Sequence, residues 1–253
     1  MSTAITLLIL GILGLGAGAL QLYLGRTLQR KTDLLARVPA SSAADVSRLL
    51  PGEPVAVQGT LRCDAPLTGE ISQQPCAYYE ATVVRQYERD RRRRRRRSRD
   101  TRSEVVSTNR QAAPFSVEDA SGRVLVRPDE AEIDARSVVN RFEQAANRQP
   151  VLSYGGLSLE LSRGDGTVGY RYEERALPLG IPVFVLGAVQ ESGEIGPPPV
   201  GSHSGAFIVS ARGRDTLRRE WGSRARWLAV AAIVLFALGV ALTVAGLVTL
   251  VVK

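Results

Sequence analysis

The sequence predicts a membrane protein: two transmembrane helices flank a β-rich (α+β) soluble domain whose strand spacing admits two small barrel-like β units. Three observations carry this expectation. An uncharged apolar run lies at each end of the chain, and between them eight short stretches alternate apolar and polar residues with period two rather than 3.6.

The first run, residues 3–25, is 23 residues without a charge. As a helix it would reach roughly 35 Å, enough to cross a hydrocarbon core of about 30 Å. Ala17-Gly18-Ala19 could pass for a signal-peptidase site. However, no Lys or Arg precedes the run, while Arg26, Arg30, Lys31 and Arg37 follow it. That is the reverse of a secretory signal, and a retained span is expected. The last run, residues 227–252, has 26 uncharged residues, with Trp221 and Trp227 where an interfacial aromatic belt would lie. Ten basic residues flank the inner ends of the two runs, four after the first and six from Arg212 to Arg226, against Lys253 alone outside. The positive-inside rule then puts both termini outside and the central domain in the cytoplasm. There Cys63 and Cys76 would be free thiols; an inverted topology would let them pair.

Residues 26–51 read as a juxtamembrane helix and linker. Ser41 or Ser42 is the candidate cap, and Pro51-Gly52 is the stop. The β-rich domain is expected over 52–211, with strands at 54–62, 76–87, 114–119, 123–128, 157–162, 168–175, 182–189 and 206–211. Asp/Gly turns at 119–122 and 163–166 predict two hairpins, and 129–147 reads as a helix. A basic juxtamembrane segment, 212–226, precedes the second span. Residues 52–59 and 180–187 share the pattern G-x-P-V-x-V-x-G at five of eight positions. Two similar β units and a chance coincidence of strand-opening residues both account for it.

Catalytic groups are sparse. The chain has one His and two Cys. His203 lies in a Gly/Pro/Ser loop, and Cys63 and Cys76 are not at zinc-ligand spacing, so both thiols are expected as small buried residues. Arg163-Gly164-Asp165 is accounted for by a hairpin turn. Neither a P-loop, a Rossmann fingerprint nor a nucleophile elbow is present. No catalytic residue, metal or cofactor is expected.

The net charge of +8 has a single origin. Residues 85–102 hold eleven Arg against three acidic residues, so the rest of the chain sums to zero. The run Arg91, Arg92, Arg93, Arg94, Arg95, Arg96 and Arg97 is self-repelling and reads as the tip of a basic disordered loop, 85–113. Beside a membrane, anionic lipid headgroups are its nearest phosphates. Nucleic acid is the weaker candidate, because no aromatic or Gly interleaving and no RNA-binding module surrounds the run.

Four stretches, 63–83, 115–128, 172–189 and 207–226, lie in order between the two spans. Together they resemble the GIDE, or "beside a membrane", domain family over nearly the whole chain. The positions carrying the resemblance are Pro66, Leu67, Pro75, Cys76, Tyr78, Tyr79, Phe115, Asp119, Gly122, Gly180 and Gly187. It implies a relation to RING-type E3 ubiquitin transferases, in whose mitochondrial member a RING follows the second span. A RING holds two zinc ions through eight Cys or His ligands, and Cys63, Cys76 and His203 cannot supply them. The leading expectation is therefore a non-catalytic membrane scaffold whose partners are the bilayer, anionic headgroups and an unidentified membrane-associated protein. One alternative is a ubiquitin transferase whose RING comes from another chain. A second is a membrane-tethered nucleic-acid binder acting through Arg91–Arg97.

Overall fold

The structure, a computed structural model, describes residues 2–91, 98–145, 151–154, 157–160, 166–199 and 205–251. It divides into a helical unit, Met1–Pro39 with Arg214–Lys253, and a β unit, Ala40–Gly213.

The helical unit is two long helices, α1 (Ser2–Arg37) and α2 (Arg214–Val251). They run antiparallel: Leu8 meets Gly246, Gly14 meets Gly239, Gly25 meets Leu228 and Thr32 meets Gly222. A Cβ on Gly14 would stand 3.2 Å from the Gly239 Cα, so small residues set the closeness of the pair. Outward-facing side chains are large and apolar, among them Ile12, Leu13, Trp227 and Ile233. With windows of mean hydropathy 2.1 and 2.7, both helices are long and apolar enough to cross a membrane. Each extends past its apolar run by two or more turns that carry charge. Trp221, expected in an interfacial belt, is buried, with the Lys31 ammonium 5.8 Å from its ring centroid. The Arg214 guanidinium closes the end of α1, donating to the Leu35 carbonyl and, at 2.7 Å, to that of Val38.

In the β unit, a 3-10 turn (Asp45–Arg48) replaces the short helix expected after Ser42, whose Oγ accepts from the Asp45 N–H at 3.3 Å. The strands are β1 (Pro54–Arg62), β2 (Leu67–Thr68), β3 (Pro75–Arg91), β4 (Ser98–Ala112), β5 (Phe115–Asp119), β6 (Gly122–Val126), β7 (Glu132–Asp134), β8 (Arg136–Gln144), β9 (Val151–Tyr154), β10 (Leu157–Glu160), β11 (Thr167–Pro178), β12 (Pro182–Val189), β13 (Ile195–Gly196) and β14 (Ile208–Ser210). All eight expected strands are among them.

Two main sheets result. In the first, β1, β5, β6, β13 and β12 close into a five-stranded ring because β12 also pairs with β1, and β14 and β7 extend it beyond β12. Its interior is apolar, with Val55, Val57, Leu61, Phe115, Val117, Val185 and Ile195 all at most 1% exposed. The second sheet is open: β3 takes β2 and β4 along one edge and β11 along the other, and β8 follows β11.

The two G-x-P-V-x-V-x-G segments are partners within one sheet. They lie antiparallel in β1 and β12, centred on Val57↔Val185, so that Gly59 faces Val183 and Gly187 faces Val55. The flanking bonds repeat the same two-fold relation. Gly52 N–H donates to Val189 O at 2.8 Å, and Gly180 N–H donates to Leu61 O at 2.9 Å. Both glycines hold positive φ, +88° and +76°, which a side chain would oppose. The shared pattern thus encodes two equivalent turn-and-strand entries into the barrel.

Three expectations are corrected. Residues 129–147 are not helical: β7 and β8 occupy 132–134 and 136–144. The β-branched Val138 and Val139 suit the free edge of β11, which takes up the backbone polar groups of β8. Residues 85–91 and 98–112, expected in a disordered loop, are instead the arms of a hairpin paired from Tyr78↔Ala112 to Arg91↔Ser98. Finally, β10 pairs with β9, while β11 pairs with β3 and β8. The Asp/Gly turn expected at 163–166 lies outside the described residues apart from Gly166.

Candidate functional site

Strand β3 carries the densest group of expected positions and connects two packed clusters. At its start the register with β11 passes from Cys76↔Pro178 to Tyr78↔Leu177, leaving Ala77 as an extra, bulged residue. The bulge reverses the alternation. Tyr78 therefore joins the barrel core with Ala77 and Leu177, while Tyr79 packs with Cys76, Ala81 and Ala176 under the open sheet. Both rings are buried, and burial is the main reason that their hydroxyl pKa values are raised.

Beneath Tyr79 the loop from β2 to β3 folds on itself, Gly69 N–H donating to Gln74 O at 2.9 Å and Gln73 N–H to Gly69 O at 3.0 Å. This turns the N–H groups of Ile71 and Ser72 inward. They meet the carboxylate of Glu174, 0% exposed on β11, at 2.5 Å and 3.2 Å from Oε2, and the Ser72 hydroxyl donates to Oε1. The loop is a small anion-binding nest filled by the protein's own carboxylate. Glu70 and Tyr79 each accept from the Asn109 amide of β4, at 2.8 Å and 3.3 Å, tying the loop to the hairpin. Sequence reasoning missed Glu174: in "YEERALP" it reads as one of two solvated acids, and only its phase on β11 marks it as inward.

Cys76 lies beside this network. Burial, reinforced by the charge of Glu174, pushes its thiol up to about 11, so it stays protonated and is a poor nucleophile. Cys63 is half-buried, its thiol donating to Pro114 O at 3.3 Å, and both cysteines are free.

The other expected positions are architectural. Phe115 is in the barrel core. Asp119 forms the β5–β6 turn, accepting from Ser121 N–H at 2.7 Å and Gly122 N–H at 3.2 Å, and from Ala43 N–H at 2.8 Å. The Ser121 side chain, then Ala43, hold its carboxyl below the ordinary range. Leu67 packs against the Cys76 cluster, and Pro66 is exposed before it. Pro75 opens β3, Gly180 sits in the turn before β12, and Gly187 lies within that strand. These residues do not converge on one cleft. A second carboxylate, Asp134, accepts from Arg212 at 2.6 Å through both oxygens and from Ser210 at 2.7 Å. Among the described residues, no group of three or more His, Cys, Asp or Glu is placed to hold a metal ion.

The most open feature is the hairpin of β3 and β4. Among the described residues β4 has β3 as its only strand partner, and it exposes Val105 and Val106. Arg91 ends the first arm, whereas Arg92–Arg97, like His203 and Arg163-Gly164-Asp165, lie outside the described residues.

The described residues thus form a closed barrel and an open sheet, bracketed in sequence by two apolar helices long enough to cross a membrane. The GIDE family, described as E3 Ubiquitin ligase, matches residues 84–246, more than half of the chain, and the chain belongs to that family. Phe115, Asp119, Gly122, Gly180 and Gly187 fall inside the matched region, and Pro66 to Tyr79 precede it. No curated protein and no solved structure matches the chain.

Proposed function

We propose that this protein is an integral membrane GIDE module acting as a non-catalytic scaffold. Helices α1 and α2 anchor it, both termini are outside, and the β unit is presented in the cytoplasm to a membrane-associated protein. The observation supporting this most strongly is how the reactive groups are used. Glu174, Asp119 and Asp134 are engaged in bonds that hold loops and strands, and the Cys76 thiol is buried and protonated. The hairpin offers the contact surface through the edge of β4 that no described strand occupies, and Arg91–Arg97 would meet anionic headgroups. The antiparallel helix pair supports termini on a common side, and the flanking Arg and Lys residues favour the outside.

The family description favours a second reading, in which the module positions a ubiquitin-ligation reaction whose RING belongs to another chain. Purified full-length protein should carry no stoichiometric zinc. It should also fail to transfer ubiquitin when given activating and conjugating enzymes. Transfer by the chain alone would sink the scaffold reading, and transfer that appears only with a crosslinked partner would establish the second. Orientation is read by Ser103→Cys on the exposed side of β4, in a Cys63→Ala background. An impermeant maleimide should label it only after lysis, and labelling of intact cells would invert the assignment.

A further inference from the structure

The charged ends of α1 and α2 enclose a groove of about 510 Å³ lined by Thr32, Asp215, Arg218, Arg219, Gly222 and Arg226. On α2 these residues recur at helical spacing and share one face. Three are guanidinium groups against a single carboxylate. Arg218 and Arg219 have no ion-pair or hydrogen-bond partner among the described residues, and Arg226 donates only to the Gly222 carbonyl, at 3.3 Å. Gly222 leaves the floor open, for a Cβ there would come no nearer than 3.9 Å to Thr32 Cγ2. The surroundings add to the field: residues 26–37 and 214–226 together hold nine basic residues and three acidic ones.

The depth of the groove is set by the sequence. Arg226 directly precedes the apolar run that begins at Trp227, and Gly222 lies five residues before it, about 7.5 Å along a helix axis. The polar zone on each side of a hydrocarbon core is of similar thickness, about 5–8 Å. Unneutralised guanidinium groups around an open floor at that depth match the phosphate of a lipid headgroup, which a guanidinium can grip through two parallel hydrogen bonds. We propose that this groove binds the phosphate of one anionic phospholipid, with Arg218, Arg219 and Arg226 as ligands and Gly222 as the space it enters. The proposal rests on the membrane-anchored reading, and it is independent of any protein partner and of the arginine hairpin.

The test uses the full chain in detergent, titrated with short-chain phosphatidic acid, short-chain phosphatidylcholine or inorganic phosphate and read by native mass spectrometry. Phosphatidic acid should bind in a one-to-one ratio. Arg218→Gln/Arg219→Gln should weaken it roughly thirtyfold, at about a fivefold loss per charge. Gly222→Leu leaves every charge in place and should cause a comparable loss by filling the floor, while circular dichroism reports whether each variant keeps its helices. Gly222→Leu binding as well as wild type while the arginine variant does not would mean diffuse charge attraction and overturn the groove. So would an unaffected arginine variant. Inorganic phosphate competing at equal concentration would assign the site to free phosphate rather than to a headgroup. Carbonate extraction of membranes separates the levels. Protein released by carbonate refutes the anchor, whereas retained protein with no Gly222-dependent binding refutes the groove alone.

Discussion

The barrel and the open sheet share strand-forming chemistry but differ in what holds their interiors. The barrel interior is built of Val, Leu, Ile, Ala, Phe and Tyr side chains, and its one repeated motif serves entry turns and strand register. The open sheet buries a carboxylate at its heart, and its loop from β2 to β3 is organised around Glu174 as much as around apolar contact. A region built on volume tolerates changes of identity that conserve size. A region built on a satisfied charge tolerates changes of size at its margin but not loss of the acceptor.

The largest effect should come from the barrel. Phe115→Ala removes a ring that is 1% exposed, and large aromatic truncations of this kind cost about 3–5 kcal/mol. Thermal unfolding of the full chain in detergent should show the β unit melting well below wild type, while Phe115→Leu should recover most of the loss. An unmoved transition would mean that the ring closed by β1 and β12 is not the unit's stabilising centre.

Glu174 gives the matching break in the open sheet. Glu174→Ala strands two N–H donors and a hydroxyl in a buried site, at about 1–3 kcal/mol for an unsatisfied group and more where the lost acceptor was charged. Its signature should be local. Amide exchange should accelerate at Ile71 and Ser72 and along the adjacent start of β3, with the barrel strands little changed. Glu174→Gln keeps one acceptor and should fall between. Uniform acceleration through the barrel would show the two regions to be one cooperative unit and dissolve the contrast drawn above.

The same contrast explains what could be read from sequence. The apolar runs needed only length and composition, and the barrel strands β1, β5, β6 and β12 needed only period two, whereas the two-residue β13 is too short to show a period; β1 and β12 run over the residues expected, because an alternating stretch bounded by Gly and Pro leaves the chain few alternatives. Tyr78 and Tyr79 show the limit. Strict alternation places them on opposite faces of one strand, as observed, but it gives no hint that the bulge at Ala77 sends Tyr78 into the barrel. β4 and β8 were illegible because their own residues hardly specify a strand: Ser98–Ala112 is polar, and Arg136–Gln144 fits a helix by local pattern. What makes them strands is the pairing edge offered by β3 and β11, which is remote in sequence. Glu174 was hidden for a related reason, since its acceptors' partners lie about a hundred residues away at Ile71 and Ser72.

A smaller effect should separate the barrel's extension from its ring. At Asp134, desolvation opposes ionisation, but hydrogen bonds from Arg212 and Ser210 and the charge of Arg212 outweigh it and hold the carboxyl below its ordinary range. The contribution is therefore fully present above the ordinary carboxylate value of about 4 and is lost as pH falls through the lower folded value. The Arg212 side chain is 40% exposed, so solvent limits the pair to about 1 kcal/mol or less. Arg212→Gln should lower the melting temperature slightly at neutral pH and converge with wild type in acid. A constant difference down to strongly acidic pH would assign the effect to packing rather than to charge.

The arginine run should have the smallest effect on stability and the largest on attachment. Of the strand residues described, replacing Arg91–Arg97 with alternating Ser and Gly touches only Arg91, so melting should move by no more than about 0.5 kcal/mol equivalent, as for surface changes generally. Full-length protein held in neutral-lipid nanodiscs should dock onto phosphatidylserine-rich vesicles, the variant should dock far less, and phosphatidylcholine vesicles should capture neither. Salt should weaken docking as the screening length shortens from about 10 Å at 0.1 M to about 3 Å at 1 M. RNA binding would fade with salt as well, so competition is the deciding measurement. If RNA strips wild-type nanodiscs from anionic vesicles at modest concentration and crosslinks to the run in cells, the hairpin is a nucleic-acid arm. If RNA leaves docking intact while the Ser/Gly variant loses it, the run acts on anionic headgroups, as proposed, and the nucleic-acid reading falls.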